Sequence, residues 1–63
     1  MPFNVFQKKV RGLAKRTGSR VNFLHENGKH IARCSDGVTI IGNTSCQQVM
    51  VKWGSGHKAL ATI

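Results

Sequence analysis

The chain has 63 residues, with ten Lys or Arg against two Asp or Glu, a formal net charge of +8 and two cysteines. So short a chain folds as one domain around one modest core, and a surplus of positive charge repels itself unless an anion answers it, so a polyanionic or acidic partner is expected. The composition excludes a membrane-spanning helix, because no apolar run approaches about 18 residues; a secretory signal does not fit either, and removing a transit peptide would leave too little chain to fold.

The charge is concentrated early. Lys8, Lys9, Arg11, Lys15, Arg16 and Arg20 are six of the ten cations, and no acid stands among them. Phe3, Phe6, Val10, Leu13 and Thr17 recur at spacings of three and four, which puts them on one face of an α-helix and leaves Lys8, Lys9, Arg11, Lys15 and Arg16 on the other arc. Pro2 and Asn4 suit a helix start, with Asn4 as the N-cap, and Gly18 suits the left-handed residue that closes a helix. Lys15 and Arg16 meet the negative end of its dipole. Gly12 lies inside this helix on its exposed side, at a cost of about 1 kcal/mol relative to Ala.

Beyond Ser19 the hydrophobic period shortens from helical to alternating. Residues 20–25 and 29–34 flank Asn27-Gly28, a pair suited to the positive φ angles of a two-residue type I′ hairpin turn. Counting outward from that turn sets Glu26 opposite Lys29, His25 opposite His30, Leu24 opposite Ile31, Phe23 opposite Ala32 and Asn22 opposite Arg33. Ser35-Asp36-Gly37 marks a second turn before a strand over 38–42. A two-residue loop there would put Ile41 on the Phe23 face; a three-residue loop with a Gly bulge would put Val38 and Ile40 there. Asn43-Thr44-Ser45 is a third break before a strand over 46–53, in which Val49, Val51 and Trp53 alternate with Gln48, Met50 and Lys52. Gly54-Ser55-Gly56 turns the chain into a last strand over 58–63.

These elements predict an α+β fold in which an N-terminal amphipathic helix packs on a small antiparallel β-meander of four to five strands. The alternative is an SH3-like or OB-like small barrel carrying an N-terminal helix. The single Trp and three Phe are expected to supply most of the core. Residues 59–63 offer an edge through which two copies could pair as a homodimer.

Chemistry-bearing residues are sparse. His25, His30, Cys34, Cys46 and His57 are zinc-type ligands, but no C-x-x-C or H-x-x-x-H pair is present, so no metal site is assigned. Cys34 and Cys46 read as reduced thiols of a cytoplasmic protein, packed as small hydrophobes. The only acids, Glu26 and Asp36, sit beside turns, which leaves no carboxylate pair for acid–base work; neither an enzyme nor a cofactor is expected. Gly54-Ser55-Gly56-His57-Lys58 lacks the spacing of a phosphate loop.

The expected function is nucleic-acid binding, DNA or RNA. The cationic helix contacts the phosphate backbone through Lys8, Lys9, Arg11, Lys15 and Arg16, with Arg20, Arg33, Lys52 and Lys58 extending the patch. Phe23 or Trp53 could stack on unpaired bases. The alternative is a small interaction module that docks on an acidic protein surface. Attachment to anionic lipid would need the Phe3, Phe6, Val10 and Leu13 face to be free of the sheet.

Overall fold

The computed structural model describes residues 1–63: helix α1 (Phe3–Thr17) followed by strands β1 (Val21–Glu26), β2 (Lys29–Cys34), β3 (Thr39–Asn43), β4 (Val49–Trp53) and β5 (His57–Ala61). The strands pair antiparallel in chain order, β1-β2-β3-β4-β5. The two edges do not meet, so the molecule is an open sheet with a helix on one face and not a barrel. The backbone of α1 lies over β1, β2 and β3, and only its side chains extend toward β4, where Phe6 and Val10 share one core with Val49. No helix is long and apolar enough to cross a membrane.

Turn chemistry sets the register. Asn27 and Gly28 both take positive φ, 49° and 78°. That is the twist a two-residue hairpin needs, and all five pairings counted from it are present. In the next turn Gly37 has φ 90° and the Cys34 amide donates to the Val38 carbonyl at 2.8 Å. The loop therefore holds three residues, which sets Ile40 opposite Ala32 on the Phe23 face. The Asp36 carboxylate accepts from the Val38 amide at 3.1 Å and closes the same turn.

The core sits between the helix and the sheet. Phe6 and Val10 are fully buried against Ala32, Ile40 and Val49, with Phe3, Leu13, Phe23 and Val51 packed around them. Burying each large apolar side chain contributes about 1.5–3 kcal/mol. Ala14 completes the buried stripe, whereas Thr17 is exposed and its hydroxyl donates back to the Ala14 carbonyl at 3.1 Å. One polar group lies inside: the His30 ring is fully buried, and its Nε2 donates to the Met1 carbonyl at 2.8 Å. The Met1 ammonium donates to the carbonyls of Asn43, Thr44 and Cys46, which binds the start of the helix to the β3–β4 connection.

Three expectations change. The helix begins one residue before Asn4; Pro2, extended at φ −61° and ψ 151°, occupies the N-cap position and no side chain caps the first turn. Trp53 is not a core residue, since it is 44% exposed at the opposite end of β4 from the buried Val49. Cys46 is exposed in the β3–β4 connection and does not pack as a small hydrophobe.

Candidate nucleic-acid interface

Successive helix residues turn by about 100°, which places Phe6, Val10 and Ala14 on one side of α1 and spreads Arg11, Lys15, Lys8, Arg16 and Lys9 over an arc of about 160° centred opposite them. All five of these cations are exposed. Each border of the arc is tied down. On one, the Arg11 guanidinium lies 5.3 Å from the centre of the Phe23 ring, a cation–π approach that orients the side chain at little energetic cost. On the other, the Lys9 ammonium donates to the Ile63 carbonyl at 2.7 Å. Gly12 falls within the arc, and a β-carbon there would meet nothing within 4 Å. The helix backbone is therefore bare at the centre of its most cationic surface. A shallow cleft lined by Lys9, Gly12, Leu13, Arg16 and Ile63 opens on the side of α1 that faces the end of the chain.

The remaining sequence-derived cations do not join this arc. Arg20 is exposed at the start of the sheet, its backbone bracketed by Ser35 through bonds of 3.0 and 2.8 Å. Arg33, Lys52 and Lys58 occupy strand positions that alternate with Ala32, Val51 and Ala59, so they project from the face of the sheet opposite the helix. The nine candidate residues thus do not share one surface: Lys8, Lys9, Arg11, Lys15 and Arg16 lie on the outward arc of the helix, and Arg33, Lys52 and Lys58 lie in one row on the far face of the sheet.

Of the two rings considered for stacking, Phe23 is half-buried beneath Phe3 and Phe6, with edge-on ring contacts at 6.4 and 6.2 Å. Trp53 is open. It pairs across strands with His57, their rings nearly parallel at 18° and 6.0 Å apart. Both lie on the helix-bearing face, at the end of β4 and the start of β5. This flat aromatic surface depends on the β4–β5 register, which brings the two rings together across strands.

His25 and His30 face each other as the hairpin register requires, with ring centres 5.1 Å apart, but both lie against Phe3, His25 stacked on it at 4.7 Å and His30 tilted at 5.2 Å. No group of three or more His, Cys, Asp or Glu side chains is placed to share a metal ion. Nε2 of His30 donates to the Met1 carbonyl, and its Nδ1, buried on the other side of the ring, has no hydrogen-bond partner. Cys34 and Cys46 are both free thiols. Burial, with the Asp36 carboxylate as a lesser cause, pushes the Cys34 thiol above its ordinary 9.0.

The chain matches no protein-family model, no curated protein and no solved structure.

Proposed function

We propose that this protein binds nucleic acid through the outward arc of α1, with Lys8, Lys9, Arg11, Lys15 and Arg16 contacting successive phosphates. The observation that carries this reading is the arc itself: five exposed cations on a helix of 15 residues that has no acid anywhere in its sequence. A solvated helix face that only kept the protein soluble would gain a few tenths of a kcal/mol from each carboxylate at a spacing of four. This helix forgoes every such pair, and the whole chain has only two acids to set against ten cations. Phosphates supply the missing counter-charge and release condensed ions as they do so. The exposed Trp53 and its stacked neighbour His57 add a surface on which an unpaired base can lie. This favours a flexible, single-stranded ligand over a duplex, whose bases are already stacked.

The test is a salt titration of binding to single-stranded and duplex oligonucleotides. Affinity is expected to fall steeply with salt, with a shallower slope when Lys8, Lys9, Lys15 and Arg16 become Gln. Absent or salt-insensitive binding would sink the proposal.

A further inference from the structure

The face of the sheet opposite the helix carries two continuous rows. Register runs Leu24–Ile31–Ile41–Met50–Leu60 across all five strands without a polar interruption. Two residues along each strand, the parallel row reads Asn22–Arg33–Thr39–Lys52–Lys58. Nothing in the fold covers either row, because the helix packs on the other side. Leu24 is 50% exposed, Met50 36% and Leu60 68%. An aliphatic stripe this continuous is unusual on a surface that stays in water, since antiparallel sheets with a solvated face alternate apolar and polar residues.

We infer that this open face is a docking surface for a protein partner whose contact patch is apolar and bordered along one side by carboxylates. Charge selects the border. Three cations, Arg33, Lys52 and Lys58, stand unpaired with any acid along one flank of the stripe, whereas on the other flank Lys29 stands opposite Glu26, the only acid on this face. A second copy is a poor occupant, because each copy brings a net charge of +8 and offers this row almost no negative charge. Nucleic acid is poor too: the stripe contains no aromatic ring, so it gives bases nothing to stack on, and burying aliphatic side chains against phosphate gains nothing. An apolar protein surface gains from the stripe, and its Asp or Glu residues gain from the row beside it. Five strands spaced about 4.8 Å apart make the stripe about 19 Å long, so the contact is small and reversible.

The test uses the full chain and three synthetic capped peptides of about 14 residues, long enough as helices to span the stripe. One carries a leucine stripe bordered by glutamates, the second the same stripe bordered by lysines, and the third glutamates with the leucines replaced by glutamine. Nuclear magnetic resonance titration of the labelled protein reads both where and how tightly each binds. The glutamate-bordered peptide is expected to shift the resonances of the two rows and leave those of the helix arc in place. The other two peptides are expected to bind at least about tenfold more weakly. Lys52→Glu with Lys58→Glu should reverse the preference to the lysine-bordered peptide, Leu60→Gln should weaken binding by about fivefold, and Lys8→Gln with Lys15→Gln should change nothing. Leu60 is exposed enough for its replacement to leave the fold intact, which an unchanged melting temperature checks. Failure of the leucine–glutamate peptide to bind, or shifts confined to the helix, overturns the inference. So does self-association abolished by Leu60→Gln, which would give the stripe to a second copy, and so does an oligonucleotide that shifts these rows.

Discussion

The ring of Phe6 lies against the backbone of Gly42, so closely that a β-carbon built on Gly42 would stand 2.9 Å from both Cδ1 and Cε1 of that ring and 3.4 Å from Cγ1 of Val49. The glycine in the middle strand is thus the recess into which the helix sets its largest fully buried side chain. Gly42→Ala is expected to destabilise the protein by about 1–3 kcal/mol through overpacking. On a Phe6→Leu background, where the ring is gone, the same change should cost much less. Denaturant unfolding of the four proteins measures the coupling, and additive effects would show that the recess has another cause.

Gly12 is the opposite case. It sits mid-helix with open space where a β-carbon would go, and its backbone is ordinary helix. Gly12→Ala should raise stability by about 0.5–1 kcal/mol, read as a higher urea midpoint with an unchanged slope. Oligonucleotide affinity should fall at the same time if phosphate uses the bare backbone at the centre of the arc.

The division of cations between two faces predicts a division of salt dependence. Lys8→Gln with Lys15→Gln should make log affinity fall less steeply with log salt, by about 0.7 for each phosphate of a single-stranded ligand that is no longer neutralised. Arg33→Gln with Lys52→Gln removes the same formal charge from the far side and should leave that slope nearly intact. Equal effects from both pairs would mean that net charge alone drives binding.

The two thiols should separate chemically. Cys46 is exposed, whereas Cys34 is partly covered and its thiolate is disfavoured, so an alkylating reagent near pH 8 should modify Cys46 first and Cys34 more slowly. The linkage to stability follows from the sign of the shift. Unfolded Cys34 loses its proton at the ordinary value of 9.0 and folded Cys34 only above it. Its contribution to stability is therefore complete below pH 9 and is lost as pH rises through the folded value. Compared with Cys34→Ala, the parent protein should lose stability more steeply above pH 9 in denaturant titrations at stepped pH.

Much of this architecture is legible in the residues because turn chemistry fixes register. Asn27-Gly28 determines the first hairpin completely, and Gly37 decides between two placements of Ile40 once its loop is known to hold three residues. Gly18 closes the helix at φ 71° as its position suggests. What alternation does not reveal is how far a helix extends sideways. A helix is about 10 Å across and covers two or three strands. Trp53 has the parity of a core residue yet lies outside that shadow. The apolar row from Leu24 to Leu60 is hidden for a related reason: it contains one residue from each strand, and it becomes a row only when all four pairings are known together.

Strand order in this sheet is the order of synthesis. Each strand joins its predecessor across a short connection, so loop closure costs little at every step and the sheet can zip from either end. Contacts between residues far apart in the chain hold the helix down: Phe6 on Gly42, the Met1 ammonium on the carbonyls of Asn43, Thr44 and Cys46, and the Lys9 ammonium on the Ile63 carbonyl. Those of Met1 and Phe6 need β3 and the β3–β4 connection in place, although the helix also packs on β1 and β2. The helix carries half of the ten cations, so the contacts that close the core also fix where that charge is presented.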